Sequence, residues 1–256
     1  MKDLYLSVDN WAAWISPGRA KDLAGSGPAD RVNTLEPEIG FVSANHRRRL
    51  TPLSRIVVDT YHRANGNPDG VLQIPSIFCS TFGEHERNTR LILDISKDSD
   101  VSPTAFSLSV HNALAGLVSI FYGNEAPCIT MATNRSGISM ALIEAYSMLG
   151  ETSPISLTIY DGPVHESYQD IVVNSDETAA ITMIVSPERR DKDRLHAEQT
   201  TGNGYTQSPQ LEIIEIVNLL LGRESGAPSD RTVTERNGRV TLGDWSWCFL
   251  QKECEL

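Results

Sequence analysis

Residues 101–150 decide the fold and read VSPTAFSLSV HNALAGLVSI FYGNEAPCIT MATNRSGISM ALIEAYSMLG. Ser102 and Pro103 start a helix, because serine caps an unpaired amide and proline at the first position loses no hydrogen bond. Gly123 suits the other end, where a left-handed residue closes a helix. The apolar residues between recur at helical spacing: Phe106, Val110, Ala113, Leu114, Leu117 and Phe121. This pattern predicts one long helix.

A strand, a sharp turn and a second helix follow. Cys128–Ala132 has strand character, and Ile138–Leu149 carries a helical apolar face that stops at Gly150. A strand that turns tightly into a helix often presents a nucleophile, since the helix N-terminus stabilises an anion. The turn here has no cysteine and offers three other residues: Asn134, Arg135 and Ser136.

Two nucleophiles remain conceivable near this turn. Ser136 would need a base, and His111 is the only histidine of the preceding helix that could supply one; a serine there more often caps the helix behind it. Cys128 lies six residues before Asn134, at the start of the strand rather than in the turn. His111 either lines a cavity beneath the turn or anchors its helix to the sheet.

Further strands and helices follow from periodicity and turn residues. The predicted strands are Leu4–Val8, Ile74–Ser80, Ile155–Tyr160, Ala179–Val185 and Trp245–Phe249, the last one in a β-rich tail that also has a hairpin signal at Asn237–Gly238. One predicted helix has its apolar face at Leu53, Ile56, Val57 and Tyr61. A second helix covers Glu84–Ile95 with Leu91, Ile92 and Ile95 inward, and a third runs from Ser208 to Gly222. Residues 186–207 are polar and predict a loop. His85 lies among charged residues and is expected to be exposed, and Asp161 is assigned to a turn.

Composition narrows the class of protein. The chain has 256 residues, 40% of them hydrophobic, and a formal net charge of −11, which argues against nucleic acid and against an anionic membrane surface. No run approaches the roughly 20 apolar residues that cross a bilayer, and Asp9 comes too early for a signal peptide. Four cysteines without metal-like or disulfide spacing predict buried thiols, no metal, and a reducing cytoplasm.

Several segments resemble the N-terminal half of β-ketoacyl synthases. The similarity is strongest over 102–149, in SPTAFSLSVHN, in HNALAGLVSI with Gly123 and Ala126–Pro127 behind it, and it extends to RRRLTPL at 47–53 and IFCSTFGE at 77–84. It covers about Asp3 to Val185. The pattern is similar to a divergent branch of that family that includes the chain-length-factor partners of bacterial aryl polyene biosynthesis.

The resemblance implies a fold and a domain organisation. The fold class is α/β, a thiolase-like half-fold with a mixed five-stranded sheet and helices on both faces. Residues 1–185 would form this half-domain, 186–207 a polar loop, and 208–256 a C-terminal helix and β-rich extension on the same domain. The second half, where synthases keep the histidines that drive decarboxylation, has no counterpart in this sequence. Asn134 or Arg135 stands where a synthase has its cysteine, and neither can form a thioester.

The resemblance also implies a function without a nucleophile. A non-catalytic chain-length factor pairs with an active ketosynthase and shapes its acyl tunnel while the chain grows on an acyl carrier protein. The pairing strand would be Cys128, Ile129, Thr130 and Met131. The tunnel floor would come from His111, Leu114, Val118, Met131 and Met140. A basic cluster, Arg47, Arg48 and Arg49, is a candidate carrier contact, although most carrier binding would fall to the partner. No cofactor is implied.

Two other functions stay open at this point. The chain can be a stand-alone acyltransferase or hydrolase that uses Ser136 or Cys128. It can also be a homodimeric scaffold that keeps a relic of the fold. Labelling by an acyl thioester would favour the first, and a stable homodimer without a partner would favour the second.

Overall fold

A single mixed sheet organises the chain. The computed structural model describes residues 3–21, 23, 31–66, 73–133, 137–150, 154–189, 194–200, 208–224, 239–242 and 244–250. The strands are β1 Asp3–Ile15, β2 Val32–Asn33, β3 Ser76–Ser80, β4 Cys128–Ala132, β5 Ile155–Asp161, β6 Ala179–Pro187, β7 Arg194–Gln199, β8 Arg239–Leu242 and β9 Trp245–Leu250. The helices are α1 Pro17–Ala20, α2 Ala44–Arg47, α3 Pro52–Asn65, α4 His85–Ser96, α5 Pro103–Ser107, α6 Ala113–Tyr122, α7 Gly137–Met148 and α8 Pro209–Glu224.

The strand order is β4-β3-β5-β6-β1-β7-β9-β8, with β2 beside the end of β1. β3 pairs in parallel with both β4 and β5, and β6 runs antiparallel to β5 and to β1. The predicted α/β class with a mixed sheet is therefore confirmed. The sheet has more strands than the five that were predicted, because β2, β7, β8 and β9 belong to the same sheet.

Helices cover both faces of the sheet, as predicted. One buried cluster contains residues of α7 and α8, among them Leu142 and Val217, and one face of the sheet. The other contains residues of α3 and α6, among them Val57 and Val118, and the opposite face. Side chains along β3 alternate between the two clusters: Phe78 belongs to the second cluster and Cys79 to the first. Such alternation is the period of two that a strand imposes.

β1 is much longer than the predicted Leu4–Val8. Its register against β6 shifts between Val8 and Asn10, which marks a bulge. Leu4, Leu6 and Val8 belong to the first cluster before the bulge, and Trp11, Ala13 and Ile15 belong to the same cluster after it. A bulge inserts one residue and so moves the alternation by one position. The strand can therefore present even-numbered and then odd-numbered residues to the same helices.

The predicted long helix over 102–122 is two helices. Ser102 caps α5 by accepting a hydrogen bond from the Ala105 amide at 3.3 Å, as predicted. This helix stops at Ser107. α6 runs from Ala113 to Tyr122 and is capped by Gly123, which has φ of 56°. Phe106 and Val110, expected inside, are 64% and 52% exposed. The break turns their side of the apolar stripe toward solvent.

Other predictions need correction at particular residues. α4 buries Leu91, but Ile92 and Ile95 are 56% and 58% exposed instead of inward. The predicted loop over 186–207 contains β7, whose residues Arg194–Gln199 pair with β1 and β9. α8 continues past Gly222 to Glu224. His85 is half-buried, with its ring edge-on to Tyr168 at 4.9 Å between centroids, rather than exposed.

The described C-terminal strands, β8 and β9, contact α7. The Trp247 indole donates to Ser139 Oγ on α7 at 2.8 Å, and Ser139 Oγ donates to the Leu242 carbonyl at 3.3 Å. The Asn237–Gly238 hairpin signal lies outside the described residues; β8 and β9 pair through Leu242 and Trp245, on either side of residues 243 and 244. Of the described helices, none combines the length and apolar character needed to cross a membrane.

Candidate functional site

The parallel strands β3, β4 and β5 end at one edge of the sheet. Ser80, the last residue of β3, lies beside Ala132 of β4, and Cys79 lies beside Ile159 of β5. Residues that follow these strands therefore meet, and open α/β sheets bind their ligands at such carboxyl ends. The segment after β3, the turn after β4 and Asp161 at the end of β5 form this candidate site.

Asp161 organises the segment that follows β3. Its carboxylate is 1% exposed and accepts hydrogen bonds from Ser80 Oγ at 2.8 Å and from the Thr81 and Phe82 amides at 2.9 Å each. Burial raises the pKa of Asp161 to about 6, although these hydrogen bonds act to lower it. Sequence reasoning assigned Asp161 to a turn. Its place at the end of a fully buried strand was the signal that could have identified it.

Glu84 joins the same segment to the start of α3. Its side chain is buried and accepts from Ser54 Oγ at 2.5 Å and from Thr51 Oγ1 at 3.2 Å. Thr51 also caps α3 by accepting from the Ser54 amide. The carboxylate therefore lies at the N-terminus of α3, where the helix dipole favours a negative charge. This contact was missed because the two segments are far apart in sequence.

His111 anchors the connection between α5 and α6 to the end of β3. Its Nε2 lies 3.0 Å from the Ser80 carbonyl, which can only accept, so Nε2 carries the proton. Gly83 lies against this ring: it has φ of +57°, and a Cβ there would meet His111 Cδ2 at 3.0 Å. Any larger residue at 83 would be strained and would push the ring. The anchoring role considered for His111 is thus the one that these contacts support.

Cys79 lies between the end of β4 and the start of α7, and its thiol is unreactive. Its Sγ is 3.8 Å from Thr133 Oγ1 and 3.7 Å from the Gly137 carbonyl. Burial raises the pKa of this thiol to about 12, so no thiolate forms near neutral pH. A Cβ on Gly137 would meet Thr133 Oγ1 at 2.7 Å, which shows how closely the strand end and the helix start approach.

The central residues of the turn, Asn134, Arg135 and Ser136, lie outside the described residues. The strand before the turn and the helix after it are confirmed. Cys128 lies at the opposite end of β4, beside Ser76 at the start of β3. Although its side chain reaches solvent, partial burial raises the pKa of this thiol. Cys128 is therefore far from the carboxyl-end site and poorly suited to attack.

The predicted tunnel-floor residues do not converge within this chain. Leu114 and Val118 are buried in the cluster with α3, whereas Met131 packs against the cluster with α7 and α8, across the sheet. Met140 on α7 is 43% exposed. Val118 lines a cavity of about 10 Å³ at the amino ends of β3 and β4, together with Ala115 and Cys128. That volume holds one water molecule and no acyl chain.

The predicted basic cluster lies next to the candidate site. Arg48 and Arg49 are exposed, and Arg47 is half-buried and donates to the Gly40 carbonyl at 3.2 Å. Arg87 links this cluster to the site, since its guanidinium donates to the Arg49 carbonyl at 2.8 Å and lies 3.4 Å from Glu84 Oε2. Within the described ranges, no three histidine, cysteine or acidic side chains are grouped to hold a metal ion.

β4 is the edge strand on this side of the sheet. It pairs only with β3 among the strands that the structure describes, so its other side is an edge of the sheet as described. Cys128 and Ala132 are exposed, and the three residues between them are half-buried. The segment predicted as the partner interface is thus an accessible strand edge next to the candidate site.

Comparison with known proteins agrees with this architecture. The family model for the β-ketoacyl synthase N-terminal domain matches residues 14–247. No curated protein matches the chain. Among solved structures, the complex of the ketosynthase ApeO with its chain length factor ApeC from Xenorhabdus doucetiae contains a chain with a TM-score of 0.71 and 16% identity, over 96% of this chain and 99% of that one.

Two further structures share the fold over less of their length. The ishigamide ketosynthase/chain length factor gives a TM-score of 0.57 at 14% identity, over 78% of this chain and 68% of that one. A β-ketoacyl synthase from Burkholderia phymatum STM815 gives 0.51 at 11% identity, over 84% and 64%. At these identities the similarities establish the fold.

Proposed function

The chain belongs to the β-ketoacyl synthase N-terminal domain family, and from this premise we propose that it is a chain-length factor: a non-catalytic subunit that pairs with an active ketosynthase. In that role it shapes the acyl tunnel of its partner while a polyene-type chain, as in aryl polyene biosynthesis, is extended on an acyl carrier protein. The setting that we propose is the reducing cytoplasm.

The free edge of β4 carries this proposal. An edge strand with half-buried side chains can continue its sheet into a second subunit through main-chain hydrogen bonds. Cys128, Ile129, Thr130 and Met131 would supply these bonds, along a strand whose carboxyl end borders the candidate site. Two of the similar structures are a ketosynthase with its chain length factor, which supports a ketosynthase as the partner.

The residues around the carboxyl-end site support a role without catalysis. The sequence places no cysteine between β4 and α7, where the resemblance expects one. Of the described thiols near the sheet's parallel strands, Cys79 and Cys128 both have a raised pKa and are poor nucleophiles. At this site, a stand-alone acyltransferase or hydrolase would have to use Ser136, and His111 is held at the Ser80 carbonyl through Nε2.

A non-catalytic subunit can still set product length by steric means. Because a packed wall resists displacement, an acyl chain that meets it stops growing. Met131 on the edge strand and Met140 on the surface of α7 are accessible to a partner. Leu114 and Val118 are buried behind β3 and would stiffen the wall rather than touch the chain. His111 would hold the adjacent segment in place.

The arginine cluster suits a secondary contact with the carrier protein. Acyl carrier proteins are acidic, and this chain has a net charge of −11, so an exposed basic cluster is where attraction can occur. Arg48 and Arg49 are both exposed. The Arg49 carbonyl accepts a hydrogen bond from Arg87, whose guanidinium also lies beside Glu84. The main carrier contact would fall to the ketosynthase.

Charge reversal at the arginine cluster tests this contact. Arg48→Glu with Arg49→Glu is expected to weaken binding of the carrier protein to the assembled complex by about tenfold at low salt, since two attractive charges become repulsive. The effect should shrink as salt rises. Titration of labelled carrier protein measures it. Lys21→Glu, an exposed lysine at the end of α1, is the matched control; equal binding by all three proteins would remove the cluster from the carrier site.

The proposed function is tested by expressing the chain with and without an active ketosynthase of the same organism. We expect a stable complex of the two chains, and condensation activity only when the ketosynthase cysteine is intact. Enlarging Met140 to Trp should shift the product lengths. Covalent labelling of the isolated chain by an acyl thioester would instead support the hydrolase or acyltransferase, and a stable homodimer that ignores the ketosynthase would support the scaffold.

A further inference from the structure

A row of polar side chains crosses β1, β7 and β9. Tyr5 is the register partner of His196, and His196 is the register partner of Cys248. Register partners on adjacent strands point to the same face of a sheet. Their neighbours along each strand, Leu4, Leu195 and Trp247, belong to the core cluster under α8. The three residues therefore occupy the opposite face, and the buried residues lock this register.

His196 connects an acid to a thiol. Its Nε2 lies 3.1 Å from Asp3 Oδ1, and its Nδ1 lies 3.8 Å from Cys248 Sγ. The Tyr5 ring stacks on the imidazole, with centroids 4.6 Å apart and planes at 19°. An ionised carboxylate only accepts, so Nε2 carries the ring proton and the Nδ1 lone pair faces the thiol.

This order of groups is that of an activated nucleophile. A nucleophile within reach of a base, whose tautomer is set by a third group, is the arrangement that lets a thiol lose its proton. A metal site would require the three ligands to point at one place. Here the two nitrogens of His196 point to different partners, in agreement with the lack of a metal-binding group among the described residues.

We propose that Cys248 is a modification site: a nucleophilic thiol that reacts with small hydroperoxides, with His196 as its base and Asp3 as the group that orients His196. The size of the reagent follows from access, since Cys248 is 6% exposed and the His196 side chain is 12% exposed. Hydrogen peroxide can reach such an atom, whereas a carrier-bound acyl group cannot.

The chemical step balances with hydrogen peroxide as the only co-reactant. His196 Nδ1 takes the thiol proton, and the Cys248 thiolate attacks one peroxide oxygen. The S–O bond forms as the O–O bond breaks, and the leaving hydroxide takes the proton from His196 to become water. The sulfur is oxidised to a sulfenic acid and the peroxide is reduced. Asp3 stabilises the transient imidazolium and keeps the ring in place.

Cys248 lies toward the opposite end of the strand order from the proposed partner interface. Four strands separate β9 from β3 in the sheet, and β4 lies beyond β3. The proposal therefore does not depend on pairing with a ketosynthase. Failure of one can be told from failure of the other, because the thiol chemistry is measured on the chain alone.

The test exposes the full chain to hydrogen peroxide in the presence of dimedone, a trap for sulfenic acids, and quantifies each cysteine peptide by mass spectrometry. Cys128 is an internal comparison, because it is the more exposed thiol and has a pKa raised by burial. We expect Cys248 to be labelled at least about tenfold faster than Cys128 at pH 7, as a thiol beside its base should be. Equal or slower labelling of Cys248 would overturn the proposal.

Variants separate the base from mere packing. His196→Gln should lower labelling of Cys248 by about tenfold, and Asp3→Asn by about threefold, since the first removes the base and the second only its orientation. His165→Gln, in a segment remote from β7, should leave the rate unchanged. A normal Cys248 rate in His196→Gln would also overturn the proposal. If that variant fails to fold, the comparison of Cys248 with Cys128 in the unaltered chain decides.

Discussion

Thr130→Lys is expected to weaken binding to the ketosynthase by about thirtyfold, which corresponds to about 2 kcal/mol. Thr130 lies in the middle of β4, with its partner Phe78 on one side and no described strand on the other. Its neighbours Ile129 and Met131 pack against the core cluster, so Thr130 points to the opposite face. A lysine there would place a charge in the centre of the new strand pair, as natural edge strands do to prevent pairing.

The fold of this variant should survive, because the substituted side chain is half-buried at an edge and outside both core clusters. Analytical size measurement and titration with the ketosynthase report the binding. Thr241→Lys is the matched control: it lies in β8, the edge strand at the other end of the same sheet, where its side chain is exposed. Undiminished binding by Thr130→Lys, or the same loss in both variants, would argue against β4 as the interface.

Asp161→Asn is expected to lower the free energy of unfolding by about 1–3 kcal/mol at pH 7.5, because it leaves a buried donor without an acceptor. The Asp161 carboxylate accepts hydrogen bonds from Ser80 Oγ and from the Thr81 and Phe82 amides, among others. An asparagine can turn its oxygen toward only one side of this set. Its amide group then faces another donor in a site that is 1% exposed.

The same pair of proteins should show a defined pH dependence. Burial raises the pKa of Asp161 to about 6 from its ordinary value of 3.8, so the folded state binds a proton more tightly than the unfolded state. Stability from this proton uptake is present below the unfolded value and is lost as the pH rises through about 6. The advantage of the unaltered chain over Asp161→Asn should therefore grow by about 1 kcal/mol from pH 7 to pH 5.

Urea unfolding at several pH values measures both effects, and only the difference between the two proteins is interpreted, since other groups titrate in both. Asp100→Asn, an exposed aspartate before α5, is the control and should follow the unaltered chain at every pH. A constant difference between pH 7 and pH 5 would show that Asp161 has the same pKa in the folded and unfolded chain. An increase in stability at pH 7.5 would contradict the hydrogen-bonding role.

Local signals predicted the elements that depend on neighbours in sequence. Ser102–Pro103 starts a helix as expected, and Gly123 ends one. The strand Cys128–Ala132 and the helix predicted over 138–149 were found with ends within one residue. Each of these depends on a cap, a proline or a short period, which act within one or two turns of chain.

Predictions failed where distant segments decide the outcome. The helix over 102–122 breaks, and His111 in the connection bonds to the Ser80 carbonyl, 31 residues earlier in the chain. The acidic groups of the candidate site were missed for the same reason, since Glu84 finds Ser54 and Asp161 finds Ser80 only after folding. Burial of a carboxylate cannot be read from its immediate neighbours, because its acceptor oxygens are satisfied by donors from other elements.

The amino-acid sequence by itself determined the family resemblance, the mixed α/β sheet with helices on both faces, and the lack of a cysteine in the turn after β4. Only the tertiary structure decided that β1 continues through a bulge to Ile15, that β7, β8 and β9 join the sheet, and that β4 is left at its edge. The physical reason is that periodicity records which side of a segment is buried, whereas strand order and register depend on hydrogen bonds between segments far apart in the chain. The same pairing brings Asp3, His196 and Cys248 together from three separate parts of the sequence.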